Sequence, residues 1–164
     1  MIRKLEAADF QTILAIVNEA ATAFRSKIPP DCYHTPYMPP EELAQEIAAG
    51  VQFFGYSENG VVVAVMGIQR VKDVTLIRHA YTLTCYQHSG IGARLLDNLL
   101  NLSETRRILV GTWELAPWAI RFYQNHGFQP TTRQQTNRLL RKYWNIPERQ
   151  VETSVVLTLD RNAQ

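Results

Sequence analysis

Residues 86–93 of the 164-residue chain read YQHSGIGA, and Gly90 and Gly92 stand directly before a run with helical apolar spacing. Glycine is about 0.8–1.0 kcal/mol worse than alanine inside a helix, so a pair at a helix start implies that something approaches the backbone there. At a strand-to-helix junction, the amide N–H groups of such a turn lie at the positive end of the helix and bind phosphate oxygens without a cationic side chain. A Walker loop would end in Gly-Lys-Ser/Thr, which is absent, and a dinucleotide fingerprint would need a third small residue where Leu95 stands. An anion cradle of another kind and a glycine turn packed on a sheet remain.

The surrounding pattern places this turn. Residues 1–5 read as a short strand, and Phe10, Ile13, Leu14, Val17 and Phe24 recur at helical spacing behind Asp9. Residues 25–40, RSKIPPDCYHTPYMPP, carry five prolines that forbid regular structure and launch a second helix through Glu41, Glu42, Leu43 and Ile47 to Gly50. An irregular stretch of this kind between two helices of a small domain is expected to be a functional wall. From Val51 the period shortens to that of strands, with turns at residues 58–60 and 72–73, which predicts an antiparallel meander over residues 51–83. A helix follows the glycines, with Ile91, Leu95, Leu96, Leu99, Leu100 and Leu102 on one face. The strand RILVGTW and a helix over residues 117–125, closed by Gly127, come next. Strand, helix, strand is a crossover and demands a parallel pair in the sheet. Alternation of Val151, Val155, Leu157 and Leu159 predicts a final strand over residues 149–159.

Composition bounds the function. The chain is 46% hydrophobic, which suits one domain over residues 1–164. The net charge of +2 supplies no basic field of the sort that nucleic acid requires, so no nucleic-acid partner is expected. Arg133, Arg138, Arg141, Lys142 and Arg149 cluster late, as a solvated face or an anion site. Cys32 and Cys85 have neither metal-ligand spacing nor disulfide density, so free thiols, a reducing compartment and no metal are expected. The charged N-terminus is unlike a signal peptide, and the most apolar run, residues 61–68, is far shorter than a membrane span. A cytoplasmic protein without a membrane partner is the expectation.

The segment YQHSGIGA resembles the acyl-CoA pyrophosphate loop of the GNAT superfamily of N-acyltransferases: Gln or Arg, two residues, Gly, one residue, then Gly or Ala. The segment WAIRFYQNHGF, residues 118–128, resembles the second signature of that superfamily, a helix bearing Ala-Ile-x-Phe-Tyr that ends at Gly-Phe. With the meander, the resemblance covers residues 51–128. It implies an α/β GNAT fold, a mixed and mostly antiparallel twisted sheet with a splayed parallel pair and flanking helices. It also implies an acetyltransferase that moves the acetyl group of acetyl-CoA to a primary amine, a small molecule most simply. An acyl-CoA sensor without turnover and a protein or peptide N-acetyltransferase are the alternatives, and a homodimer is compatible with it.

Carried over by position, the resemblance lays the pantetheine along Ala80, Tyr81 and Thr82. It lays the pyrophosphate on the amides of His88, Ser89, Gly90, Ile91, Gly92 and Ala93, with Gln87 before that cradle. Tyr123 matches the superfamily tyrosine that protonates the departing thiolate. The usual glutamate base is missing, because the matching positions hold Leu76 and Gly111, and the common loop asparagine is replaced by Ala116. His79 is the first substitute, a strand histidine on the face of Tyr81, imidazole being the side chain whose ordinary range lies near neutrality. Glu114 is the second, and a water chain the third. The acceptor pocket is expected between the Pro-rich segment, with Tyr33, His34 and Tyr37, and residues 138–150, with Trp144 as an apolar wall.

Overall fold

The computed structural model describes residues 1–162 of the chain. Seven strands form one sheet in the order β1-β2-β3-β4-β5-β7-β6: β1 Ile2–Lys4, β2 Gln52–Glu58, β3 Val61–Val71, β4 Val74–Thr82, β5 Arg107–Trp113, β6 Gln129–Pro130 and β7 Ser154–Asp160. All pairings are antiparallel except β4 with β5, as the crossover requires. Six α-helices flank it: α1 Phe10–Ala20, α2 Pro40–Ala48, α3 Ile91–Leu102, α4 Pro117–Asn125, α5 Arg133–Tyr143 and α6 Glu148–Thr153.

Alternation along the strands sorts the core into two faces. Met66, Ile77, Ile108, Val110 and Leu157 turn toward α3 and α4, where Ile91, Leu95, Leu96, Leu99, Tyr123 and Phe128 meet them. Burial of four apolar side chains of α3, at about 1.5–3 kcal/mol each, outweighs the two glycines at its start. On the opposite face, Phe53 and Val65 take α1 and α2, while Leu76, Leu109 and Val156 take α5 and α6.

Two irregularities in the sheet make the site. β4 and β5 are paired only from Val74 with Arg107 to Ile77 with Val110. Beyond that point β4 runs on through Thr82 bonded to β3 alone, and β5 runs on through Trp113 bonded to β7 alone. The cause lies in β4 itself. Arg78 faces Gly67 and Tyr81 faces Val65, so His79 and Ala80 together oppose Met66. That is a β-bulge, which bends and overtwists its strand, and His79 takes a left-handed φ of +52° there.

The strand predicted over residues 149–159 is shorter than expected, because residues 149–153 belong to α6 and Val151 is buried from a helix. Pro147 precedes α6 with its fixed φ and launches a helical turn where alternation alone suggested a strand. Among the described residues, no helix is long and apolar enough to cross a membrane.

Candidate active site

The glycine turn is built by its own side chains so that its amides stay free. After β4 the chain makes a 3₁₀ turn over Thr84–Tyr86, and then His88 and Gly90 adopt left-handed φ values of +60° and +81°. The Glu19 carboxylate on α1 accepts from the Thr84 N–H at 3.1 Å, Gln87 Nε2 donates to the Thr82 carbonyl at 3.0 Å, and Ser89 Oγ donates to the Tyr86 carbonyl at 2.5 Å. With the turn pinned this way, no hydrogen bond among the described residues uses the N–H of His88, Ser89, Gly90, Ile91, Gly92 or Ala93. Six consecutive unspent donors at a helix N-terminus are the donor set that an anion cradle requires.

The two glycines are there for different reasons. Gly90 is the N-cap of α3 in a conformation that strains any other common residue. Gly92 has ordinary backbone, and a Cβ added to it would meet only the Phe122 ring, 3.5 Å away. Nothing in the chain itself forbids a side chain at Gly92. Its bareness serves whatever approaches from outside.

The cradle opens into a cavity of about 1530 Å³ that runs along the parted ends of β4 and β5. Its walls include Ala80, Tyr81 and Thr82 on one strand and Gly111, Thr112 and Trp113 on the other. Because Tyr81 and Thr82 pair with β3 only and Ala80 lies in the bulge, the β5-facing backbone edge of residues 80–82 is available to an added chain in the manner of a strand. Tyr123 of α4 lies in the same cavity, 5% exposed, and burial alone pushes its phenol well above the ordinary tyrosine range. It is therefore a protonated donor at neutral pH.

The family model of an acetyltransferase (GNAT) domain matches residues 16–142. The chain belongs to the GNAT acetyltransferase family. Solved structures share the fold along nearly the whole chain. An acetyltransferase of the GNAT family from Staphylococcus aureus Mu50 superposes with a TM-score of 0.75 at 18% identity, covering 99% of each chain. PaiA N-acetyltransferase from Thermoplasma acidophilum, in complex with coenzyme A, gives 0.73 at 15% identity over 98% of each. The ribosomal-protein-S18-alanine N-acetyltransferase from Escherichia coli gives 0.71 at 18% identity over 100% of this chain and 96% of that one. No curated protein matches the chain.

In this GNAT domain the Pro-rich segment lines the cavity and is fixed in three places. Asn18 of α1 clasps the backbone of Met38 twice, at 2.7 and 3.1 Å. The Trp113 indole N–H donates to the Tyr37 hydroxyl at 2.8 Å. Arg149 of α6 reaches across to Asp31, with Nε 2.7 Å and Nη2 3.3 Å from the carboxylate oxygens. Phe24 fills the space beneath, stacked on Trp118 and tilted against Tyr37. Tyr81 is partly buried beside these rings, and desolvation raises its phenol well above the ordinary range.

Of the residues the sequence singled out, His79, Tyr123, His34, Tyr37 and Trp144 all line this cavity, together with Ala80 to Thr82 and the turn residues Gln87, His88 and Gly90 to Ala93. Trp144 lies against Gly111 of β5. Tyr33 does not reach the cavity wall and packs on Tyr37 with Arg25 over its ring. Glu114 stands outside, engaged by Arg133 Nη2 at 2.5 Å. Gln87 spends its side chain on Thr82 rather than extending over the cradle.

Several charged residues of the cavity were not singled out, and three of them meet: Glu42 and Glu46, one helical turn apart on α2, and Arg78 of β4. Partial burial pushes the Glu42 carboxyl up. Burial also pushes Glu46 up, but His79 and Arg78 outweigh it and hold Glu46 below the usual glutamate range. The i, i+4 spacing of the two acids is visible in the sequence, but so is that of Leu43 and Ile47, and spacing alone does not say which pair faces inward. Leu43 is buried, whereas Ile47 is 42% exposed, so α2 is rolled to bring Glu42 and Glu46 to the cavity.

Proposed function

We propose that this chain is an N-acetyltransferase that uses acetyl-CoA to acetylate the primary amine of a small molecule. The observation that carries the reading is the run of six unspent amides from His88 to Ala93 at the mouth of the parted strands, with protonated Tyr123 in the same cavity. The amides hold the pyrophosphate, the free edge of Ala80 to Thr82 holds the pantetheine, and bare Gly92 lets the cofactor lie against the backbone. The cavity volume of about 1530 Å³ accommodates a long nucleotide cofactor arm and a small acceptor together.

The amine nitrogen attacks the thioester carbonyl, forming the C–N bond, and the C–S bond breaks with its electron pair on sulfur. Tyr123 gives its proton to that sulfur, and His79 takes the surplus proton of the amine. His79 is preferred to Glu114 because His79 lines the cavity and Glu114 is outside it, bound to Arg133. A small acceptor is favoured over a polypeptide because the Asp31–Arg149 pair bridges the two walls of the acceptor end. The reading is tested by incubating the protein with acetyl-CoA and a panel of diamines, amino acids, arylalkylamines and short peptides, among them peptides with N-terminal alanine, and measuring free thiol. Thiol release dependent on a small primary amine is expected. Turnover confined to peptides would overturn the acceptor class, and saturable acetyl-CoA binding without turnover across the panel would favour a sensor.

A further inference from the structure

The bulge in β4 does more than part the strands. By forcing His79 into a left-handed conformation it lays the imidazole over Phe53, with ring centroids 5.8 Å apart and planes within 26°. In that pose Nε2 faces Glu46 Oε2 at 3.4 Å. Glu46 is itself held from the other side by Arg78, with Nη1 2.6 Å from Oε2 and Nη2 3.0 Å from Oε1. His79 Nε2 and Glu46 Oε2 are both sealed from solvent, and neither closes a hydrogen bond with any group among the described residues; they are left facing each other at 3.4 Å, with Arg78 Nη1 ion-paired to Oε2. The other charged and titratable groups around this array are Glu42 on α2 and His34 on the Pro-rich segment.

We propose that Glu46 is a positioning residue for His79: its carboxylate accepts from the Nε2–H of the neutral ring, which keeps the proton on Nε2 and leaves Nδ1 as the basic atom. The proposal rests on the reading of His79 as the base. The chemistry is a matter of donor and acceptor inventory. An ionised carboxylate only accepts, so a neutral imidazole facing it has to place its single N–H toward it. Arg78 only donates, and it both keeps Glu46 ionised and fixes the carboxylate plane. The other ring nitrogen, Nδ1, has no partner among the described residues and is the one atom through which neutral His79 can accept a proton.

Glu46→Gln reverses this inventory without changing the shape. The single carbonyl oxygen of the glutamine is claimed by Arg78, its amide N–H groups face His79, and the ring responds by accepting at Nε2 and carrying its proton on Nδ1. The test is long-range proton–nitrogen NMR of the labelled apoprotein at alkaline pH, where imidazoles are neutral, run beside kinetics with whichever amine proves active. His79 in the wild type is expected as the Nε2–H tautomer and in Glu46→Gln as the Nδ1–H tautomer, with kcat lowered about tenfold or more and acetyl-CoA affinity unchanged. An Nδ1–H tautomer in the wild type overturns the proposal, and that spectrum needs neither a folded variant nor an acceptor. Full kcat in Glu46→Gln, when His79→Gln is impaired, overturns the role of Glu46 and leaves the base in place. Full turnover in His79→Gln removes the base reading and the proposal with it.

Discussion

Tyr123 is the residue whose chemistry is least ambiguous, because its phenol is shifted by burial and by nothing else. A folded-state value raised above the unfolded one near 10 favours the native protein fully below that pH and is lost as pH rises beyond it. Tyr123→Phe keeps the ring packed on Phe122 and Phe128 and deletes only the hydroxyl. The expected outcome is a kcat reduced by about a hundredfold, as loss of a general acid implies, with acetyl-CoA affinity unchanged and a shallower loss of stability above about pH 10 than the wild type shows. Steady-state kinetics and denaturant midpoints across pH check both halves. Tyr123 and His79 were legible as residues of interest, since residue type and place in a strand or helix were enough. Glu46 was not, because its meeting with His79 depends on a one-residue bulge in β4 and on the roll of α2, and neither leaves a mark in hydrophobic spacing.

At the level of elements, the junction of β4 and α3 separates backbone conformation from ligand approach. Gly90→Ala places a side chain at a φ of +81° and is expected to cost about 1–2 kcal/mol of stability. Gly92→Ala meets only ordinary contact with Phe122, so it should fold with unaltered stability yet bind acetyl-CoA about tenfold or more weakly, because its methyl lies where the cofactor meets the amides. Calorimetry on both variants distinguishes the two effects, and wild-type affinity in Gly92→Ala would show that nothing presses on that position. The strands of the meander, α3 and α4 were readable from period and turn residues. α5 was missed although Thr132 and Gln135 form a capping box at its start, a signal that TRQQ carries openly. α6 was hidden for the opposite reason, since Val151 happens to extend the alternation of β7.

The whole molecule is a sheet whose two central strands share four residue pairs and then separate, with the glycine turn and its free amides at the cavity and the Pro-rich segment along it. The meander and the parallel pair were legible from turns and the crossover, but the full strand order was not, and the separation was implied only by the family resemblance, because it arises at a bulge whose register only tertiary pairing sets. The Pro-rich segment was anticipated as a wall. Its fastening by Asn18, Trp113 and Arg149 joins positions far apart in the chain and was out of reach of local patterns. The account stands on the six amides from His88 to Ala93 being donors that wait for a pyrophosphate. Amide hydrogen exchange, resolved residue by residue by NMR with and without acetyl-CoA, measures this directly. The account predicts fast exchange of these six in the free protein and marked slowing on saturation with acetyl-CoA, alongside slowing at Ala80 to Thr82. Saturable binding of acetyl-CoA that leaves all six unchanged and protects another surface would contradict it.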